Sequence, residues 1–191
     1  MITAEIYQII AVTSLVFSSI LGIAAVAIAP QGKGSSISGS IASHKLLYLV
    51  SGVTITILAT LFCLSVVHWY MPVYSMPDYT VVLAVICVIF ALPIAWAPAD
   101  TAKSHRLHSL HFAAGQVLGI ALLMILATAL YSKPSAISPI TQIVLYFTLG
   151  YSVLCYILYL TVPYLKKYFL YFEVSFLAAL LLSFLLLALR V

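Results

Sequence analysis

Six apolar runs, each about as long as the roughly 20 residues an α-helix needs to cross the hydrocarbon core of a bilayer, decide what this 191-residue chain can become. They extend from Ile6 to Ala29, Leu46 to Tyr70, Tyr79 to Ala97, Leu110 to Tyr131, Ile140 to Val162 and Tyr168 to Leu189. No water is present at that depth to satisfy main-chain N–H and C=O groups, so runs of this length predict helices. The intervals between them carry helix-breaking punctuation: Pro30 with the Gly/Ser-rich segment 32–40, Pro72 and Pro77, Pro98, Pro134 and Pro139, and Pro163 ahead of Lys166 and Lys167. The expected fold is all-α: a polytopic integral membrane protein, with residues 1–191 forming a single domain of six transmembrane helices.

Composition agrees. Only 6% of the residues are charged and 65% are hydrophobic, whereas soluble domains carry about a quarter charged residues. The first run is longer than the apolar region of a signal peptide, follows Glu5 and not a basic segment, and is read as a retained span. Cys63, Cys87 and Cys155 lie singly inside apolar runs, without the spacing of a disulfide framework or a thiolate metal site. The formal charge of +4 arises from eight basic residues gathered in short loops. That pattern suits anionic lipid headgroups as partners and implies no nucleic acid.

Orientation follows from where Lys and Arg fall. Loops 1, 3 and 5 hold Lys33, Lys45, Lys103, Arg106, Lys166 and Lys167, and the opposite side holds Lys133 and Arg190. Six against two places loops 1, 3 and 5 in the cytoplasm and both termini outside, in a multi-pass protein of the cell membrane. Small residues at spacing four, Gly115 with Gly119 and Ser14 with Ser18 and Gly22, are expected at helix–helix contacts. Pro93 removes one hydrogen bond within helix 3 and is expected to leave a carbonyl for a neighbour to satisfy.

Polar chemistry gathers on the basic side. His108, His111, Gly115 and Gly119 share one stripe at the start of helix 4, which should turn at least His111 into the bundle. His105 lies one turn earlier, Asp100 ends helix 3, and His44 opens helix 2. Glu173 lies six residues past Lys167 in helix 6, at a depth where an ionisable group is costly and normally faces the interior. The topology thus brings His44, Asp100, His105, His108, His111 and Glu173 towards one mouth. His68, beside Trp69 and Tyr70, falls on the other side as an interfacial residue.

Several functions fit this cluster. It can bind or move a lipid or small ligand at the mouth, or relay protons. Alternatively His108, His111 and Asp100 can hold zinc or iron with an open water position, as a metal-dependent hydrolase of lipid amides or esters requires. Ser40-x-x-x-His44, an Asp near a helix end and a His pair are similar to the scattered ligands of intramembrane ceramidase-like hydrolases, which have seven helices and a different histidine spacing. Haem b between His44 and His108 or His111 is a further reading, and needs two facing histidines within the bilayer. A structural subunit of a membrane complex, or a homo-oligomer, also suits such short loops. The plainest reading makes His105, Arg106 and His108 the wet loop before helix 4, with Asp100 capping its start.

The segments "SSISGS" at 35–40, "PAD" at 98–100 and "LHSLHFAAG" at 107–115 give the chain a family likeness. Its layout resembles a bacterial and archaeal family of small six-helix membrane proteins known as domain of unknown function 998. That family has a Ser-rich segment between helices 1 and 2, a Pro-x-Asp ending helix 3, and a histidine with small residues opening helix 4. Where the family often has an acidic residue after the serines, this chain has Gly39 and Ser40. The resemblance implies a six-helix fold and directs attention to Asp100 and His111; it implies no reaction.

Overall fold

In the computed structural model, which describes residues 2–28, 41, 45–97, 105–162 and 169–190, the chain is all-helical, with no strand among those residues. Six helices are long and apolar enough to cross a membrane, and the chain is a multi-pass membrane protein. They are α1 (Ile2–Ile28), α2 (Lys45–Ser65, continued below), α3 (Tyr79–Trp96), α4 (His105–Ser132), α5 (Pro139–Thr161) and α6 (Phe169–Leu189). Each packs against the next, and α6 packs back on α1, so the six close a ring; α4 also touches α6 across it. The faces turned away from the ring are apolar, with Ile23, Ile57, Val82, Ile143 and Phe147 all half or more exposed. That is the outer surface a bilayer solvates and water would not.

Connections between α1 and α2, α3 and α4, and α5 and α6 share one end of the bundle, called here the basic end. The turns α2–α3 and α4–α5 lie at the other, the terminal end, with the start of α1 and the finish of α6. The buried core is concentrated towards the terminal end, around Trp69, Tyr70, Tyr74, Ile125, Leu126, Leu130, Leu145, Phe184 and Leu187.

Two boundaries differ from the expected ones. Helix α2 does not stop before Pro72: it passes through a π-turn, Val66–Tyr70, into a last α-turn, Met71–Tyr74. The Met71 N–H reaches back to the Val66 carbonyl. Proline in a regular helix collides with the carbonyl four residues earlier, and widening the helix just ahead of Pro72 relieves that collision. Ser75 then ends the helix in the left-handed region, at φ 51°, and the Met76 N–H returns to the Met71 carbonyl. Helix α4 begins earlier than its apolar run, at His105. The backbone of His105, Arg106 and His108 is therefore helical, which corrects their reading as loop.

At α5 the local chemistry is plain. Ser138 accepts the Thr141 N–H at 3.2 Å and Pro139 takes the first helical position, where its missing N–H costs nothing. The Gln142 side-chain amide donates to the Pro134 and Ile137 carbonyls, both at 2.9 Å, tying down the short 3-10 turn Pro134–Ala136.

The expected small-residue seams hold only in part. A Cβ added to Gly119 would stand 3.4 Å from the Phe176 ring of α6, so that glycine does admit a neighbour. Gly115 and Gly22 face open space, and the Ser14 and Ser18 hydroxyls donate back to carbonyls of their own helix, at 2.9 and 2.8 Å. The close approach falls instead at Gly52, where a Cβ would meet the Trp96 ring at 3.1 Å and the Ala95 carbonyl oxygen at 3.2 Å.

Candidate functional site

The finish of α3 is the part of the basic end that the structure describes most fully. Because Ala97 precedes Pro98, the helical region is disfavoured for it, and it adopts extended geometry, φ −91° and ψ 121°. Carbonyls at a helix C-terminus have no partner within the helix. Two are met here by side chains from the flanking helices: Tyr48 of α2 donates its hydroxyl to the Trp96 carbonyl, and Nδ1 of His111 on α4 lies 2.9 Å from the Ala97 carbonyl. A carbonyl oxygen only accepts, so His111 carries its proton on Nδ1 when neutral, and Nε2 is the nitrogen with the lone pair. Pro93, expected to hand a carbonyl to a neighbour, instead sits in a helix whose last carbonyls, one turn later, are the ones taken up.

Trp96 completes the joint. Its indole N–H donates to Thr56 Oγ1 at 3.1 Å, and its ring meets Tyr48 edge-on at 6.4 Å. Gly52 leaves room for that ring against α2. The half-buried His111 imidazole is thus anchored to an assembly of three helices, α2, α3 and α4.

Glu173, half-buried on α6, lies at the same end. Helices α4 and α6 run parallel, with Phe176 level with Gly119. Counting back three residues on one and eight on the other at about 1.5 Å each places Glu173 roughly 7 Å deeper than His111. Its level on α4 is that of Gln116. The two therefore differ in depth and do not share a layer.

His44 and Asp100 lie outside the described residues, as do the side chains of His105 and His108. Of the proposed metal set His108, His111 and Asp100, only the His111 side chain is described, and no group of three His, Cys, Asp or Glu comes together among the described residues. His68 is exposed and stacks on Tyr7 with centroids 4.5 Å apart.

The terminal end holds a second polar assembly that sequence reasoning missed. Tyr70 donates to the Phe184 carbonyl at 2.9 Å, Tyr74 to the Leu187 carbonyl at 2.6 Å, and the Gln8 amide to the Ala188 carbonyl at 2.8 Å. Arg190, in the left-handed region at φ 55°, lays its guanidinium over Trp69 at 4.6 Å. The available signal was the pairing of Tyr70 and Tyr74 four residues apart across Pro72, which only a continuing helix puts on one face.

Comparison with protein families, with curated proteins and with solved structures found no match for the chain.

Proposed function

We propose that the chain binds or moves a lipid or small ligand at the mouth on its basic end, and that this end faces the cytoplasm. The observation that carries the reading is the state of His111. Its ring is oriented by the bond to the Ala97 carbonyl, within a joint of three helices, and a half-buried carboxylate, Glu173, stands deeper at the same end of the bundle. An imidazole held in one orientation recognises a ligand without losing rotamer freedom on binding. The resemblance of the layout to domain of unknown function 998 points to the same two residues, His111 and Asp100.

The same observation favours one rival. A histidine whose Nδ1–H is bonded to a main-chain carbonyl has the tautomer of a histidine that binds metal through Nε2. A zinc- or iron-dependent hydrolase of lipid amides or esters is therefore the second reading, with His108 and Asp100 as the further ligands.

Elemental analysis of the purified protein separates the two, with His111→Ala and Asp100→Asn as controls. Stoichiometric zinc or iron, lost in both variants, would establish the metal site and displace the binding-only reading. A metal-free protein that retains a lipid or small molecule on extraction, and loses it in His111→Ala, would support binding at the mouth.

A further inference from the structure

An open hollow of about 320 Å³ lies at the terminal end, on the outer side of the contact between α3 and α4. It is lined by Tyr79, Met124, Ala127, Thr128, Tyr131 and Ser132. From this hollow and the charges near its rim we infer a docking site for a membrane phospholipid with a zwitterionic, primary-amine headgroup of the phosphatidylethanolamine kind. This is the opposite end from the His111 mouth, and the inference stands whether or not that reading holds.

The lining is graded as an amphiphile is graded. Met124 and Ala127 lie deeper along α4 and offer hydrocarbon, while Tyr131 and Ser132 are exposed in its last turn. Between them the Tyr79 hydroxyl lies 3.2 Å from Thr128 Oγ1. Thr128 spends its one hydroxyl hydrogen on the Met124 carbonyl, at 2.7 Å. The shared hydrogen therefore comes from Tyr79, and the phenolic oxygen of this lining residue keeps its lone pairs as an acceptor. It suits a donor such as an ammonium N–H.

Charge near the rim narrows the headgroup. Asp78 immediately precedes Tyr79 and Lys133 immediately follows Ser132, so one carboxylate-bearing and one ammonium-bearing residue stand one position beyond the lining, at the start of α3 and the end of α4. Both are exposed. Asp78 stands at the N-cap position of α3, yet its side chain makes no cap hydrogen bond, and among the described residues it forms no ion pair with Lys133. A lone basic residue would select an anionic lipid. A carboxylate beside a lysine instead matches a headgroup with both charges, phosphate towards Lys133 and ammonium towards Asp78 and Tyr79. A primary ammonium donates N–H bonds; the trimethylammonium of a choline headgroup has none to give. The hollow is too small for a whole lipid and receives the glycerol region and the upper part of one chain.

The test is native mass spectrometry of the purified protein, exposed in turn to phosphatidylethanolamine, phosphatidylcholine and phosphatidylglycerol with identical acyl chains. The expected result is preferential retention of phosphatidylethanolamine. Asp78→Asn should lower that retention about fivefold, as befits loss of one interfacial charge pair, and Ala127→Trp should remove it by filling the hollow. Circular dichroism establishes that each variant is folded. Asp78→Asn alters only an exposed turn residue, so it decides the matter even if the tryptophan disturbs packing. Equal retention of the three lipids, preference for either of the others, or an ethanolamine preference untouched by Asp78→Asn would overturn the inference. So would a lipid-free dimer in place of the adduct.

Discussion

The Tyr74 hydroxyl donates to the Leu187 carbonyl at 2.6 Å, joining residues 113 positions apart in the chain. Gln8 on Ala188 likewise meets a carbonyl of the last turn of α6, where the Leu187 carbonyl also takes the Arg190 N–H at 3.3 Å, and Tyr70 adds a bond to the Phe184 carbonyl one turn earlier. Replacing Tyr74 with Phe keeps the buried ring and removes only its bond to Leu187. Hydrogen bonds between membrane helices average about 0.6 kcal/mol and reach about 1.7 kcal/mol, and Tyr74→Phe is expected within that range. Unfolding of the purified protein in a graded denaturant measures the loss, and Tyr70→Phe with Tyr74→Phe should cost more than either alone.

Arg190, itself exposed, lies over the buried Trp69 ring in a cation–π contact. Because the cation stays hydrated, Arg190→Ala should cost about 0.5–1 kcal/mol, the lower end of the range for such contacts. It should also shift tryptophan emission. Trp69→Phe in the same background should abolish the shift, leaving Trp96 as the remaining fluorophore.

His111 has two separable parts, the Nδ1–H that holds α3 and the Nε2 that a ligand or metal would use. His111→Asn places an amide donor near the position of Nδ1 and offers nothing at Nε2. We expect His111→Asn to keep near wild-type stability while losing whatever binds at the mouth. His111→Ala should lose both, with about 1 kcal/mol of stability. Thermal unfolding and ligand retention, measured side by side on the two variants, read the difference. A His111→Asn protein that binds normally would remove Nε2 from the site.

Glycine substitutions should sort by contact and not by motif. Gly52→Ala drives a methyl to 3.2 Å from the Ala95 carbonyl oxygen and 3.1 Å from the Trp96 ring, so helices α2 and α3 must part slightly, at a cost of about 1–3 kcal/mol. Gly22→Ala and Gly115→Ala meet nothing within 4 Å and gain helix propensity; they should be neutral or mildly stabilising, by less than about 1 kcal/mol. Tm values of the three variants check the order.

Topology is tested by single cysteines at positions 38 and 135, in a background with Cys63, Cys87 and Cys155 replaced. An impermeant thiol reagent applied to closed vesicles should label the two from opposite sides, with position 38 on the cytoplasmic side. Labelling from one side would break the helix count, and reversed sides would invert the orientation.

What the sequence made legible was governed by length and hydropathy. All six spans could be read because a membrane helix must be apolar for about 20 residues, whatever its neighbours. The continuation of α2 through Pro72 could not, because punctuation alone cannot tell a proline that ends a helix from one accommodated by a π-turn. That distinction rests on Tyr70 and Tyr74 finding carbonyls on α6. His111 was singled out for a different reason from the one found. The glycine stripe was meant to turn it inward, but Gly115 faces open space, and the ring is held by a main-chain carbonyl. Carbonyl partners have no signature in a sequence, since every residue carries one. Gly52 was overlooked for the converse reason: a single glycine opposite a tryptophan forms no repeat.

The meeting of α1 with α6 sets an order on biogenesis. Gln8 bonds to Ala188, 180 residues away, so α1 emerges from the ribosome well before α6 and its amide waits for that helix to acquire this acceptor. During that interval the insertion machinery, lipid or an assembly factor must shelter a polar side chain on α1. Final locking of the ring consequently waits for α6, and truncation within α6 should leave α1 to α5 inserted but unlatched.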